Sequence, residues 1–175
     1  MDQADANVRW LDEREMVTWR AFVETVHDLL RALENDLARD EMTLGDYQVL
    51  VYLAEAKTPM RMSDLASRLQ LTPSGLTRRL DGLVQSGDVE RVPDEIDRRV
   101  MLARLTRQGR ERLSTVAPHH VASVREYFID RIPTRDVEAV GRAFLKIREH
   151  LNGDGAASIS SGDVPERLGP RRASL

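Results

Sequence analysis

The 175-residue chain has no cysteine, and only 2 of its 26 basic side chains are lysines. Without thiols there is no thiolate nucleophile, redox sensor, disulfide or cysteine-rich zinc site, and four scattered histidines do not replace them. No apolar run reaches the ~18 residues that a membrane-spanning helix needs. The start, MDQADANVRWLDEREM, has acids where a secretory signal would have a basic region and an apolar stretch, so a cytoplasmic location is expected. Carboxylates are abundant, yet none pair up as an acid and a base. Phosphate-binding glycine loops and zinc-hydrolase motifs are missing too. The chain reads as a protein that is not an enzyme and needs no cofactor.

A formal net charge of -3 argues at first against a polyanionic partner. The sum conceals an asymmetry. Lys57 to Leu113 holds 12 basic and 8 acidic residues, a net of +4, against 14 basic and 21 acidic elsewhere, a net of -7. The middle third is therefore where nucleic-acid contacts are expected, and its arginines offer rigid five-donor forks suited to phosphates and guanine edges.

Apolar residues recur at three- and four-residue intervals from Trp10 to about Ala38, which predicts one amphipathic helix. At 1.5 Å per residue it would be roughly 40 Å long, enough to reach a second subunit. Thr43 is expected to cap a helix that Pro59 stops, Met60 to Met62 is a short extended candidate, and Ser63 is expected to cap a compact helix through Leu69. Thr72 as cap and Pro73 as first helical residue open a second short helix with Leu76, Leu80, Leu83 and Val84 on one side. These two helices read as a helix-turn-helix. Val89 and Arg91, then Val100 to Leu105, bracket a polar loop, which predicts a two-stranded hairpin or wing. Thr106 opens a helix expected to run to Ile132, with a weak start at Gly109 and a bend at Pro118. The last helix is expected from Arg135 to about Leu151.

The fold class is thus mainly α with a small β-hairpin wing. The division expected is a flexible N-terminus over 1–9, an N-terminal dimerisation helix over 10–40, a winged helix-turn-helix over 41–105, C-terminal dimerisation helices over 106–151 and a flexible tail over 152–175.

Two groups of residues carry chemistry. In LTPSGLTRRLDGL, Ser74, Thr77 and Arg78 lie off the leucine stripe, with Arg79 at its edge. Small polar residues at a helix start can enter a major groove closely, while arginine one turn on can reach guanine or phosphate. In DEIDRRVMLARLT, Arg98 and Arg99 sit where a hairpin loop projects side chains, and Asp97 is near enough to hold one guanidinium by a bidentate pair. Arginine at a wing tip suits a narrow, electronegative minor groove.

Helix-turn-helix, a wing carrying Asp97, Arg98 and Arg99, then LTRQGRERL leading into a long helix, all after a long N-terminal helix, resembles the MarR family of bacterial winged-helix transcriptional regulators over residues 10 to 151. The resemblance implies a two-fold homodimer that binds double-stranded DNA at a pseudo-palindromic operator, with repression as the expected mode. It assigns Thr72, Ser74, Gly75, Thr77, Arg78 and Arg79 to the recognition helix. It also implies that Arg99 enters the minor groove while Asp97 orients it, Arg98 lying between. Ser63 would donate to a phosphate. Two positions depart from the pattern: Gly75 is a poor helix former, and Asp88 stands where an apolar residue is expected.

Family members that respond to a small aromatic or phenolic effector imply a cavity between dimerisation and winged regions. Trp19, Phe22, His27, Tyr47, Tyr52 and Arg61 are the candidates to line it here, although the aromatic residues equally suit core or interface positions. His119 and His120 are adjacent and point about 100° apart on a helix, which does not suit chelation, so no metal is assigned. The alternative function is a winged-helix protein-interaction module without DNA binding.

Overall fold

The computed structural model describes residues 8–56 and 58–152. The expected flexible segments at 1–7 and from 153 onward lie outside the described residues. Asn152, expected in the tail, is the last residue of a helix.

Helix α1 covers Glu13–Ala38 and starts later than its apolar period predicts because Asp12 closes a capping box. The Glu15 N–H donates to Asp12 Oδ1 at 2.8 Å, and the Asp12 N–H donates to Glu15 Oε2 at 2.9 Å. Helix α2 (Leu44–Glu55) is capped by Thr43 as expected. Strand β1 (Met60–Arg61) leads directly into α3 (Met62–Arg68). Here Ser63 departs from its expected role. Arg61 holds the N-cap position without a side-chain bond, and the Ser63 hydroxyl donates to Asp64 Oδ1 at 3.1 Å.

Helix α4 (Pro73–Gln85) is followed by β2 (Val89–Pro93) and β3 (Met101–Leu105). Strands β2 and β3 form the expected hairpin, and β1 joins β3 to make a three-stranded antiparallel sheet in the order β1-β3-β2. Met60 opposite Ala103 and Arg61 opposite Leu102 add the third strand, which ties the entry to α3 to the far side of the hairpin. Helix α5 (Arg107–Tyr127) runs unbroken through Pro118. It ends before Ile132, at Phe128, where φ -129° and ψ -65° leave the helical region and a 3-10 turn follows. Helix α6 (Val137–Asn152) starts two residues beyond Arg135, after a 3-10 turn over Thr134–Asp136.

The core lies where α2, α3, α4, the sheet and α5 converge. Val49, Leu50, Leu65, Leu80 and Ala103 are completely buried, with Leu37, Leu76 and Val89 nearly so. Each buried leucine stabilises the fold by about 1.5–3 kcal/mol relative to exposure. Beside the buried Leu37 of α1 a polar contact is added: the Ser123 hydroxyl donates to Asp36 Oδ2 at 2.6 Å and holds that carboxyl below the usual carboxylate range.

Asp88 and the weak helix start at Gly109 meet in space. Gly87, at φ 79°, ends α4 in the left-handed region and turns the chain so that Asp88 points inward. Gly109 packs on that same bend: a β-carbon there would lie 2.1 Å from the Asp88 carbonyl oxygen. The weak helix start is therefore the close approach that lets α5 seat on the junction of α4 and β2.

Candidate nucleic-acid interface

The start of α4 is built by its cap. The Gly75 N–H donates to Thr72 Oγ1 at 3.1 Å, and Thr72 Oγ1 lies 3.2 Å from the Ser74 hydroxyl. A β-carbon on Gly75 would come 3.1 Å from that oxygen, so the poor helix former makes room for the cap. Leu76, Leu80 and Leu83 face the core, leaving Ser74, Thr77 and Arg78 exposed. The Thr77 hydroxyl donates to the Pro73 carbonyl at 2.9 Å, so the side chain is held in one orientation with its hydroxyl proton already committed.

Arg79 departs from its neighbour. Its guanidinium turns to the start of α2, 3.2 Å from Asp46 Oδ1 and 3.3 Å from Thr43 Oγ1. It passes across Gly45, where a β-carbon would collide with it. Arg79 thus braces α4 against α2 and is only partly open to a partner. Arg91 on β2 makes a second brace, donating to Asp81 at 2.7 Å and to the Thr77 carbonyl at 3.2 Å. Sequence reasoning missed Arg91 because its partners are on another element.

In the wing, Asp97 pairs with no guanidinium among the described residues. Its Oδ1 accepts the Arg99 backbone N–H at 3.0 Å, and its carbonyl accepts the Val100 N–H at 2.9 Å. Asp94, one of the acids that crowd this loop, accepts N–H bonds from Ile96 at 2.8 Å and Asp97 at 3.0 Å. The bond from Asp97, then that from Ile96, and the nearby Arg61 charge hold the Asp94 carboxyl below its ordinary value. Two acids that would repel DNA are thereby turned to shaping the loop, a role that their Asx-turn spacing signals. Arg98 and Arg99 are exposed. Arg79, Arg91, Arg104 and Arg112 are each paired with a carboxylate, whereas Arg78, Arg98 and Arg99 make no ion pair among the described residues.

The six effector candidates do not converge within one protomer. Trp19 and Phe22 are half exposed and form an aromatic ladder with Phe144 and Phe128, at centroid spacings of 6.0, 6.2 and 6.5 Å. Tyr47 is in the core, its ring 4.3 Å from that of His120, and Tyr52 packs against the same core. His27 is exposed and faces the Val23 carbonyl at 3.0 Å. Arg61 lines a groove of about 360 Å³ beneath the wing with Asp64, Arg68 and Asp94. Helical periodicity could not separate these places, because core and interface aromatics repeat alike. His119 bonds Asp40 at 3.0 Å, away from the ring of His120. Among the described residues no helix is long and apolar enough to cross a membrane.

The family model described as "MarR family" matches residues 41–100, the span of the helix-turn-helix and wing. Among solved structures, AbsC from Streptomyces coelicolor, a MarR family transcriptional regulator, is 40% identical, with 83% of this chain and 99% of that one covered and a TM-score of 0.79. Sco3205 from the same organism, solved in complex with DNA, is 32% identical over 87% of this chain and 96% of its own, with a TM-score of 0.81. The transcriptional repressor YetL of Bacillus subtilis strain 168 is 29% identical over 66% of this chain and 71% of its own length. With such likeness across nearly the whole of a solved regulator, and the family model matching the helix-turn-helix and wing, this chain belongs to the MarR family of transcriptional regulators.

Proposed function

We propose that this protein is a sequence-specific double-stranded DNA-binding repressor, working as a homodimer on a pseudo-palindromic operator, and that it is cytoplasmic and not an enzyme. The observation that carries the reading is the presentation of Arg78 on α4 and Arg98 and Arg99 on the wing: all three are exposed and make no ion pair among the described residues, while Arg79, Arg91 and Arg104 on the same helix and strands are each tied to a carboxylate. Guanidinium groups so presented suit major-groove edges, phosphates and a narrow minor groove. The DNA complex of Sco3205 and the name of YetL support the reading.

Dimerisation is supported by the apolar face that the protomer leaves uncovered. Trp10, Val17, Trp19 and Phe22 on and before α1 and Phe144, Ile147 and Leu151 on α6 are all exposed, and α6 has no buried residue. Regions 10–40 and 106–151 would pair, and 41–105 would read DNA. Release by a small aromatic or phenolic ligand belongs to the same proposal, with Trp19 and Phe22 as wall residues because they share that face with Phe144.

Selection from a randomised duplex pool by the purified protein, followed by footprinting at several salt concentrations, tests this. Two half-sites related by a two-fold and about 34–36 Å apart, or a multiple of that spacing, are expected, with affinity falling steeply as salt rises. No enriched sequence and no salt-sensitive binding would favour the interaction module instead.

A further inference from the structure

We propose that Ile96 enters the minor groove beside Arg99 and makes the wing select against guanine, by occupying the space that the guanine 2-amino group would need. This deepens the DNA-binding reading and rests on it.

Ile96 is 98% exposed, more than any other large hydrophobic residue of the described chain. A single exposed apolar side chain is ordinary on a protein surface. The mounting of Ile96 sets it apart. Its own N–H and that of Asp97 both donate to Asp94 Oδ1, the Arg99 N–H donates to Asp97 Oδ1, and the Asp94 N–H returns to the Val100 carbonyl at 2.9 Å. The loop between β2 and β3 is thus closed by its own acids. The Asp94 and Asp97 carboxylates bind backbone, and Ile96 is left exposed between Glu95 and the arginines at 98 and 99. A solvated turn would not require its most prominent side chain to be a branched hydrocarbon, two residues ahead of a pair of exposed arginines.

The chemistry of the groove supplies the occupant. Seen from the minor groove, A·T and T·A present acceptors only, while G·C adds the N2 amino donor projecting from the floor. A branched hydrocarbon offers that donor no acceptor and competes with it for space, so burying Ile96 over G·C strands a polar group. Over A·T the floor is clear, and the apolar chain can pack on the sugar walls while Arg99 meets the acceptors. Apolar side chains inserted beside arginine are an established device of minor-groove binding.

The test uses the full chain and a duplex selected by it from a randomised pool. At the A·T pairs protected in the minor groove under the wing, one duplex receives G·C and another inosine·C, which lacks the 2-amino group. G·C is expected to weaken binding about fivefold or more, within the usual range for one wrong pair, and inosine·C to restore most of it. Ile96→Ala should bring the ratio between the two duplexes close to one, Ile96→Val should keep it, and Arg99→Ala should lower affinity on every duplex. A ratio near one for the native chain, or one that Ile96→Ala leaves intact, overturns the role of Ile96 while leaving DNA binding standing. Failure of the native chain to select any duplex overturns both.

Discussion

Arg112 Nη1 lies 2.6 Å from Oδ2 of Asp88, a carboxylate with no solvent exposure at the junction of α4 and β2. The same guanidinium donates through Nη2 to the carbonyl of Glu41 at 2.7 Å, and the Ser86 hydroxyl donates to the Asp88 carboxylate at 2.7 Å. Glu41 is at φ 53° in the turn between α1 and α2. One ion pair therefore joins the reading head, the start of α5 and the end of α1. Among the described residues Asp88 Oδ1 has no hydrogen-bond partner, so the buried charge depends on Arg112 and Ser86.

Breaking that pair from one side should cost more than removing it whole. Arg112→Leu leaves the Asp88 charge buried and uncompensated, and a loss of about 3 kcal/mol in urea unfolding is expected. Asp88→Leu with Arg112→Leu should recover most of the loss, because an apolar pair of similar volume needs no counter-charge. Equal losses in the single and double variants would show that Arg112 acts through packing alone.

Gly109 and Gly141 should respond in opposite directions to the same substitution. Gly109→Ala drives a methyl into a backbone carbonyl that cannot swing away, so it should destabilise by about 2 kcal/mol or more despite alanine's better helix propensity. Nothing lies within 4 Å of a β-carbon at Gly141, so Gly141→Ala should stabilise by about 0.5–1 kcal/mol. Thermal melts of the two variants beside the native chain check both signs.

The neighbouring arginines of α4 should separate into two kinds. Arg78→Ala and Arg99→Ala are expected to weaken duplex binding about tenfold each with unchanged melting, since neither side chain has an ion-pair partner among the described residues. Arg79→Ala should lower the melting temperature too, because it removes the brace to Asp46 and Thr43. Calorimetric melting and fluorescence anisotropy on the same samples read the difference. A melting loss for Arg78→Ala, or none for Arg79→Ala, would reverse the assignment.

Acid should loosen the seam between α2 and α5. Burial lowers the pKa of His120 below the usual 6.5, and its Nδ1 has no partner beside the Tyr47 ring. A histidine kept neutral in the fold contributes stability that is present above about pH 6.5 and is lost as pH falls toward the lowered native value. His120→Phe keeps a ring against Tyr47 and removes the titration. Its stability between pH 7.5 and 5.5 should therefore be flatter than that of the native chain, and parallel curves would refute the assignment.

What local chemistry governs could be read along the chain. The threonine caps at 43, 72 and 106, the leucine stripe of α4 and the change of period into the hairpin all act within a few residues, and each stands where the periodicity predicts. The arginines and acids of the wing are likewise visible as a cluster. The partner of each charge is not. Asp97 and Arg99 are close enough to pair by side chains or by backbone, and closure of the loop selects the backbone N–H. Arg78 and Arg79 are alike in sequence, but the start of α2, brought near by packing, captures one of them. Asp88 departs from the expected pattern until Arg112, 24 residues on, is folded against it. Helix starts and strand periods follow from backbone hydrogen bonding and the alternation of apolar residues, which short segments settle alone. Charge pairing, the third strand of the sheet and the dispersal of the six aromatic and polar pocket candidates depend on contacts across the chain, and only the packing of the whole fold chooses among them.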